Sequence, residues 1–518
     1  MPAPTSIRST NPATGELVAE HPAPSPDEVR AAVARAREVA EWWALLNFDE
    51  RRRWLLRFKS ALVRDAEQLA ELVHAETGKP VADALLEVML AVEHLDWAAR
   101  NARSTLGARK VRSGVLAVNQ ASTVRYQPLG VVGVIGPWNY PVYTPMGAIA
   151  HALAAGNAVV FKPSEHTPEV GRWLAQRWSQ LLPDRPLLQC LPGDGRTGAA
   201  LCESGADKIA FTGSTATAQE VMATCARSLT PLVAECGGKD AMIVADDADL
   251  DAAATAAVFG AMGNAGQTCA GVERIYAHQA VFDDLLRRIR AEAGKLRPGA
   301  GADASYGPMT TPEQAEIIRR HVADAVDRGG TAALGDVSSV QDPYVSPVVI
   351  THVPEDSPAV REESFGPTIV LNPVRDVEHG IRLANDSRYA LAASVFTRDA
   401  KKGTDAAERL RCGAVSINSV LGFASVPALP FGGVGDSGFG RVHGADGLRE
   451  FSRAKAITRA RFRPLLDLMN FDRTARDMKI AVQSCGCGTG GGDEQGRASP
   501  APTCRSPPGA RAAGARLR

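Results

Sequence analysis

The stretch that decides the fold runs from VVGVIG (131–136) through PMGAIAHALAAG (145–156) to NAVVFK (157–162). The outer two segments are short apolar runs rich in β-branched residues, which favour buried strands, and the middle segment is typical of a buried helix. A helix between two such strands is the usual connection between neighbouring parallel strands. The stretch therefore predicts a parallel sheet covered by helices.

The same alternation continues along the chain. A helix is predicted near residues 168–182, and a second alternating region from about residue 237 to residue 431 contains the strand candidates AMIVA, ERIYAH, SPVVI, TIVLN, AASVFT and AVSIN. Upstream, from Ser25 to about Ala99, apolar residues recur at helical spacing. We predict an α/β protein with two Rossmann-type open-sheet domains.

Composition restricts the classes of partner. The chain has 518 residues, 45% of them hydrophobic, which suggests two or three domains at roughly 150 residues each. Lysine plus arginine and aspartate plus glutamate both number 58, so no net field attracts nucleic acid or an anionic membrane. We expect a small-molecule partner, no nucleic acid and no membrane.

Cysteine usage and the amino terminus predict a cytoplasmic protein. The nine cysteines lack the dense spacing of a disulfide-stapled domain, and no apolar run resembles a signal peptide or a membrane span of ~18 residues. Residues 484–518 are rich in Gly, Pro, Ala, Ser and Arg, so we predict disorder there. Cys485 and Cys487 form a lone pair without further ligands, and no metal site is predicted.

Cys269, in NAGQTCAG, is the candidate nucleophile because its neighbours are small and would leave the sulfur accessible. Glu235, in LVAECGGKD, follows an apolar strand, where α/β enzymes place reactive groups, and can act as a general base. Asn139, in GPWNYP, follows the strand VVGVI between two prolines, and its amide can donate to an oxyanion. Each residue alone also fits a structural role.

Two segments indicate a dinucleotide site. NAVVFKPSE contains Lys162 and Glu165, whose side chains can bind the adenosine ribose. The Glu165 carboxylate disfavours a 2′-phosphate on that ribose, so NAD is the preferred cofactor while NADP stays open. In FTGST, Gly213 and Ser214 open a helix suited to a pyrophosphate. The literal G-x-G-x-x-G at 193–198 is rejected, because no acidic residue follows at the required distance, and is interpreted as a helix-entry turn.

The motifs PWNYP, FKPSE, FTGST, AECGGKD, NAGQTC and EESFGP occur in the order and approximate spacing seen in the aldehyde dehydrogenase superfamily. The chain resembles that superfamily from about residue 11 to residue 462. The resemblance implies that Cys269 attacks an aldehyde and that the Asn139 side chain and the Cys269 amide hold the oxyanion. It further implies loss of hydride to a nicotinamide, followed by hydrolysis of the thioester by water that Glu235 activates.

The resemblance also assigns cofactor residues and domains. It adds Glu363, Phe365 and Trp138 to the cofactor site. It implies a cofactor-binding domain at 1–105 and 127–236, a catalytic domain at 237–432, and an oligomerisation hairpin at 106–126 with a strand at 452–463. A homodimer or homotetramer is then expected, and residues 464–518 form a carboxy-terminal extension.

Departures from the family pattern occur at three places. Ala218 stands where a helix glycine is common, which puts cofactor affinity in question. Cys236 replaces a usual leucine beside Glu235 and is interpreted as core packing. The extension from residue 463 exceeds the usual family end and contains no apolar span.

The resemblance implies that the substrate tunnel is walled by residues 141–146, by Thr268 and Ala270, and by residues 420–429. These residues are apolar or small and hold no Arg or Lys for a carboxylate. The hypothesis is an uncharged, medium-sized aliphatic or aromatic aldehyde. One alternative is a succinate-semialdehyde dehydrogenase, if Arg274 reaches the tunnel. A CoA-acylating enzyme and a non-catalytic protein with a reused fold are further alternatives, both disfavoured by Glu235 together with Cys269 and Asn139.

Overall fold

The computed structural model describes residues 6–301, 303–464 and 466–486. The chain divides into two units: the first contains residues up to 108 and 125–455, and the second contains 109–124 together with the residues from 456 onward. The first unit holds both large sheets and every residue of the candidate site. Within the described residues, no helix is long and apolar enough to cross a bilayer.

Eighteen strands are present in the described residues: β1 (Ser6–Thr10), β2 (Leu17–Pro22), β3 (Arg109–Val111), β4 (Gln120–Pro128), β5 (Val131–Ile135), β6 (Ala158–Lys162), β7 (Leu188–Cys190), β8 (Lys208–Thr212), β9 (Leu232–Glu235), β10 (Asp240–Val244), β11 (Val272–His278), β12 (Thr331–Leu334), β13 (Val348–Thr351), β14 (Thr368–Val374), β15 (Ala392–Phe396), β16 (Ala414–Ile417), β17 (Gly438–Phe439) and β18 (Ser452–Ala460).

The helices in the same described part of the chain are α1 (Pro26–Leu45), α2 (Phe48–Arg64), α3 (Ala66–Thr77), α4 (Val81–Leu106), α5 (Tyr143–Ala155), α6 (Pro168–Leu181), α7 (Gly195–Glu203), α8 (Thr215–Ala226), α9 (Leu250–Met262), α10 (Phe282–Ala293), α11 (Pro312–Asp327), α12 (Pro358–Arg361), α13 (Val377–Asn385), α14 (Ala400–Arg409), α15 (Gly444–Glu450) and α16 (Ala475–Gly486).

The first sheet has six strands in the order β17-β9-β8-β5-β6-β7, and all its neighbours except β17 are parallel. Strands β5 and β6 are fully buried, as their β-branched runs require when helices cover both faces. Helix α1 is capped by Ser25, whose side chain accepts the Glu28 N–H in a reciprocal capping box. The parallel strands bring the residues that follow them to one edge of the sheet.

The second sheet has seven strands in the order β12-β13-β14-β11-β10-β15-β16, with β12 antiparallel at one edge. Its central strands β10, β11 and β15 are almost entirely buried, and their apolar residues form a second core with α9, α10 and α11. The predicted α/β class with two parallel, open sheets is confirmed. The domain boundaries remain a prediction.

The second unit contains β3 and parts of β4 and β18, which form a three-stranded sheet in the order β18-β4-β3. Strands β3 and β4 pair antiparallel within the segment 106–126 that was expected to form a hairpin. The second unit also contains α16, which reaches residue 486 and so overlaps the start of the segment predicted to be disordered. Residues 487–518, the rest of that segment, lie outside the described residues.

Candidate active site

A cavity of about 350 Å³ contains both the Cys269 and the Glu235 side chains. It opens between the two large sheets of the first unit, and its walls come from α4, α5, α9 and the segment after β16. The lining residues beside Cys269 and Glu235 are mainly aromatic or aliphatic, and they include Leu86, Leu90, Tyr140, Tyr143, Phe259, Val420, Leu421, Phe423 and Phe431. A volume of this size is at the lower end for a small-molecule site.

Cys269 lies in the turn between α9 and β11, where the backbone is left-handed at Asn264 (φ 55°), Ala265 (φ 57°) and Gly266 (φ 73°). These conformations reverse the chain within a few residues, so that the partly exposed thiol faces the cavity. Burial raises the pKa of the Cys269 thiol, and the carboxyls of Glu235, Glu363 and Asp240 raise it further. The sulfur is therefore a neutral thiol at pH 7 and needs a base before it can attack.

Glu235 is the last residue of β9, which places its carboxyl at the edge of the first sheet. Oε2 accepts a hydrogen bond from the Thr212 hydroxyl at 3.3 Å, and Oε1 is buried with no partner in the described part of the chain. Burial raises the pKa of Glu235 to about 8, against the opposing effects of Thr212 and Arg441. An unpartnered buried carboxyl oxygen is costly to maintain and is typical of a group that exchanges protons.

Asn139 is buried in the loop between β5 and α5. Its Nδ2 donates to the Gln267 carbonyl at 2.9 Å, so the amide nitrogen lies against the turn that carries Cys269. The Asn139 carbonyl accepts from Asn264 Nδ2 at 3.1 Å and from Lys79 Nζ at 2.6 Å. Both ends of the residue are thus fixed relative to Cys269.

A buried ion pair supports the loop that carries Asn139. Lys79 Nζ lies 2.8 Å from Glu87 Oε2 and 4.4 Å from the centre of the Tyr140 ring. Glu87 Oε1 accepts the backbone N–H groups of Val142 at 2.7 Å and Tyr143 at 3.1 Å. We call Lys79 and Glu87 the substrate-side pair, because both also line the cavity.

A second buried pair, Lys239 with Glu273, joins the residue before β10 to β11 and is called the cofactor-side pair. Glu273 Oε1 accepts the Phe365 N–H at 2.9 Å, and Oε2 accepts the Ser364 N–H at 2.8 Å. Lys239 Nζ also donates to Ser364 Oγ at 3.0 Å. The pair fixes the backbone that directly follows Glu363.

The Glu363 side chain contacts Gly237 and Gly238, the two glycines that come shortly after Glu235. Its Oε1 accepts the Gly238 N–H at 3.0 Å, and a Cβ at position 237 would lie 2.1 Å from the same oxygen, so a side chain at position 237 would displace the Glu363 carboxyl group. Burial raises the pKa of Glu363 to about 8, and Glu273 adds to the increase. Gly238 in turn lies against the Cys269 carbonyl, 2.8 Å from the position of a Cβ.

A separate cleft of about 440 Å³ lies at the carboxyl edge of the first sheet. It gathers most of the predicted cofactor residues, namely Trp138, Lys162, Glu165, Gly213 and Ser214. Ser214 caps α8 by accepting the Thr217 N–H, so the amino terminus of a helix faces the cleft as an anion would require. The cleft therefore fits a dinucleotide.

Lys162 and Glu165 form an ion pair at 3.2 Å beside the cleft. Burial acts to raise the pKa of Glu165, but Lys162, a backbone hydrogen bond and His166 together outweigh it, and the net shift is downward. The residue is thus a carboxylate at neutral pH, suited to accept ribose hydroxyls.

Two predicted cofactor residues, Glu363 and Phe365, are not among the residues that line this cleft. Phe365 reaches it indirectly, because its ring packs edge-to-face on Trp138 with 5.7 Å between centres. Its backbone is left-handed (φ 49°) and is held there by Glu273.

The structure shows where the residues that depart from the family pattern lie. Ala218 is buried on α8 within the apolar core, and Cys236 is buried in the same core, as predicted. The rejected G-x-G-x-x-G is the entry to α7, capped by Asp194, yet Gly195 and Gly198 of that helix line the cleft.

The predicted tunnel residues are placed only in part. Tyr143, Thr144, Thr268, Ala270 and residues 420–425 line the cavity. Residues 141–142, 145–146 and 426–429 do not line it, and α4 and α9 contribute wall residues that sequence reasoning missed. The lining contains one lysine, Lys79, contrary to the prediction, but Glu87 and the Asn139 carbonyl occupy it.

Arg274, the residue on which the semialdehyde alternative depends, does not line the cavity. Its buried guanidinium donates to the carbonyls of Lys239, Leu383 and Ala384. It therefore serves to tie backbone segments together.

The sequence profile described as "Aldehyde dehydrogenase family" matches residues 2–457. A 4,4'-diapolycopene aldehyde oxidase from a Methylomonas species is 38% identical over 454 residues, covering 86% of this chain and 84% of the relative. A Mycobacterium ulcerans protein, provisionally named as a succinate-semialdehyde dehydrogenase that uses NADP+, is 35% identical, covering 86% of this chain and 87% of the relative.

Among solved structures, an NAD-dependent aldehyde dehydrogenase from Sinorhizobium meliloti superimposes with a TM-score of 0.85 at 30% identity, covering 90% of this chain and 93% of that protein. The resemblance inferred from the six motifs is thereby confirmed, as is the use of a nicotinamide dinucleotide, NAD or NADP. The chain belongs to the aldehyde dehydrogenase family and is an NAD(P)-dependent enzyme that oxidises aldehydes.

Proposed function

We propose that the enzyme converts an uncharged aldehyde to the free carboxylic acid through a thioester on Cys269. The observation that carries this proposal is the presence of Cys269 and Glu235 in one cavity, with Glu235 Oε1 unpartnered. A nucleophile and a base that share a substrate cavity are the elements of covalent acyl chemistry.

In the first step, the Cys269 thiol gives its proton to Glu235 while the sulfur bonds to the aldehyde carbon. The carbonyl electron pair moves to oxygen, and the Asn139 amide and the Cys269 N–H donate to that oxyanion. Asn139 is suited to this role because Lys79, Asn264 and Gln267 fix both ends of it. A donor that is already oriented contributes most in a water-poor site.

In the second step, the carbon loses hydride and its carbonyl forms again as a thioester. The bound oxidised dinucleotide supplies the hydride acceptor, together with a positive charge that favours the thiolate. Lys162, Glu165, Gly213, Ser214 and Trp138 would hold it in the cleft, with Glu363 and Phe365 on the path to Cys269.

Before the third step, Glu235 releases to solvent the proton that it took from Cys269. It then takes a proton from water, and the resulting hydroxide attacks the thioester. The C–S bond breaks, the acid leaves, and sulfur recovers a proton. This use of Glu235 favours hydrolysis over transfer to CoA, which needs no water-activating base.

The cofactor preference we propose is NAD over NADP. Glu165 is a carboxylate beside the cleft, and it would repel the 2′-phosphate of NADP.

An uncharged substrate is supported by the charges of the cavity wall. The only lining lysine among the described residues, Lys79, is occupied, Arg274 lies elsewhere, and Asp83 and Glu235 add acidic groups. A carboxylate substrate would enter without a cation to pair with. The provisional name of the mycobacterial relative favours succinate semialdehyde as the alternative substrate, whereas the Methylomonas relative is named for a polyene aldehyde.

A substrate panel tests this proposal. We expect NADH formation with hexanal and benzaldehyde to have a larger kcat/KM than with succinate semialdehyde, and NADPH formation to be slower than NADH formation. The Cys269→Ala variant is the control, since it should bind NAD but oxidise nothing. A kcat/KM largest for succinate semialdehyde contradicts the substrate assignment, and an absolute need for CoA contradicts hydrolysis.

We further propose that residues 1–105 with 127–236 bind the cofactor, that 237–432 form the catalytic domain, and that 106–126 with 452–463 mediate a homodimer or homotetramer. Exposed apolar side chains in the second unit, among them Val115, Leu116 and Val118, support the last point. Light scattering at working concentration measures the mass, and a monomer would contradict it.

A further inference from the structure

The opening of the cavity that contains Cys269 has large apolar side chains exposed to solvent. Leu86 on α4 and Phe259 on α9 line the cavity, yet they are 52% and 56% exposed. A residue that lines a cavity and is also more than half exposed lies where the cavity meets solvent. We call Leu86 and Phe259 the apolar rim. Glu235 is buried, so the reacting groups are at the inner end.

The exposed apolar surface continues beyond the apolar rim. Met89 lies one turn after Leu86 on α4 and is 40% exposed, and Val426 directly follows the lining residue Ser425 and is 43% exposed. Leu86, Met89 and Leu90 have the spacing that places them on one face of α4, and Leu90 also lines the cavity. Exposed apolar groups around a ligand cavity indicate a surface that a bound group covers.

The inner end of the cavity is closed by packed side chains. Around Cys269, the residues Ala270, Leu391 and Phe423 form one buried cluster. The ring of Phe431 stacks on that of Phe423, with 5.3 Å between centres. A close-packed interior does not yield to a longer ligand. Since the aldehyde carbon must reach Cys269, any further length of the substrate extends toward the apolar rim.

The hydroxyl groups of the wall offer little to a polar tail. Those of Tyr140, Tyr143 and Ser425 are bonded within the protein, to the Thr268 hydroxyl and to the carbonyls of Ala424 and Gly422, respectively. Thr144 lies at the inner end, because it also lines a second, small cavity together with Glu235. The outer part of the cavity therefore favours an apolar group.

Asp83 disfavours a charged tail. It lies one turn before Leu86 on α4 and also lines the cavity. Burial raises the pKa of its carboxyl group, and the nearby Lys79 acts against that increase. A carboxylate on the substrate would be unpaired here, because Lys79 is bonded to Glu87. The same lysine offsets the attraction of Asp83 for a cation.

We propose that the substrate is an aldehyde with a long apolar tail, and that Leu86 and Phe259 determine this specificity by covering the part of the tail that extends out of the cavity. The assignment rests on the proposed function and narrows its substrate class from uncharged aldehydes in general to those longer than the cavity.

The expected effect follows from the burial of methylene groups. Each methylene that leaves water for a fully apolar environment strengthens binding about fourfold. The apolar rim is open on one side, so we expect about half of that effect, roughly twofold per methylene, for the part of the tail that it covers.

The test is a series of straight-chain aldehydes, from butanal through hexanal and octanal to decanal, each below its solubility limit. The measured quantity is kcat/KM from NADH formation with the full-length enzyme. For the wild type we expect kcat/KM to keep rising from hexanal to decanal, by a factor on the order of ten.

Replacing both rim residues, Leu86→Asn with Phe259→Asn, should reduce the decanal-to-hexanal ratio about tenfold. The hexanal-to-butanal ratio should not change, because these shorter tails lie inside the cavity. Leu86→Met with Phe259→Leu keeps the apolar surface and should retain most of the preference. Leu45→Asn is the matched control, since Leu45 is 87% exposed at the end of α1 and does not line the cavity, and it should leave both ratios unchanged.

Equal kcat/KM values for hexanal and decanal in the wild type would overturn the proposal while leaving aldehyde oxidation intact. An equal decanal-to-hexanal ratio in the wild type and the Asn double variant would also overturn it. A larger kcat/KM for the cationic 4-trimethylaminobutanal than for decanal would overturn it by assigning the opening to Asp83.

A lipid surface is the other occupant that the test can reveal. Binding to neutral phosphatidylcholine vesicles that the Asn double variant loses, together with no chain-length preference, would overturn the proposal. Failure of the wild-type enzyme to oxidise any aldehyde of the series, or benzaldehyde, would instead overturn the proposed function on which it rests.

Discussion

The substrate-side pair and the cofactor-side pair have the same hydrogen-bonding pattern but position different groups. In each, a buried glutamate accepts two consecutive backbone N–H groups, and a buried lysine neutralises it. Lys79 also bonds the Asn139 carbonyl directly, whereas Lys239 reaches only Ser364, beside Glu363. Glu363 itself is held by one backbone hydrogen bond, from Gly238.

The difference shows where the site is rigid and where it can adjust. The oxyanion donor is fixed at both ends, as a group that must stabilise a transition state should be. The carboxylate on the cofactor side has a fixed backbone and a weakly held side chain. We infer that the substrate side sets the rate of the chemical step and that the cofactor side adapts to binding.

The largest effect is expected from removing the group that the substrate-side pair holds. Asn139→Ala should lower kcat on the order of 10² to 10³, because an oriented oxyanion donor is lost. The binding of NAD, measured by fluorescence quenching, should be unaffected. An Asn139→Ala enzyme of near-normal kcat would contradict the role of Asn139.

Weakening the two pairs separately tests the comparison itself. Glu87→Gln keeps acceptors for Val142 and Tyr143 but removes the charge beside Lys79, and we expect kcat to fall about tenfold with the KM for NAD unchanged. Glu273→Gln, its counterpart, should raise the KM for NAD several-fold with a smaller effect on kcat.

Thermal unfolding of both variants is the control, because a charge left unpaired in the interior destabilises a protein by about 3–5 kcal/mol. If the two variants change kcat and KM in the same proportion, the two pairs have only a structural role.

The smallest effect concerns pH. Burial raises the pKa of both Glu235 and Glu363 to about 8, so each is mostly protonated at pH 7 and becomes a base as pH rises. If Glu235 activates water, kcat should increase with pH and level off above about 8. The increase should disappear in Glu235→Gln and persist in Glu363→Gln, measured from about pH 6 to about pH 10.

Much of this arrangement could be predicted from the sequence where the information is local. Glu235 was found because an apolar strand ends at it, and Cys269 because small residues surround it. Lys162, Glu165 and Ser214 follow strands whose apolar runs are unmistakable, and the structure gathers them in one cleft.

The supporting residues could not be predicted, because their partners are distant in the chain. Glu87 is 55 residues from the amide it accepts in Val142, and Glu273 is 91 residues from that of Ser364. Neither pair has helical or strand spacing that would reveal it.

Gly237 and Gly238, the two glycines beside the Glu363 side chain, form a thin layer of backbone within the site. Glu363 lies on one face of it, and the Cys269 carbonyl packs against the other at Gly238. A cofactor that shifts the Glu363 carboxylate therefore shifts a contact of the nucleophile. Thermodynamic reciprocity then requires that aldehyde binding change cofactor affinity by the same factor as cofactor binding changes aldehyde affinity.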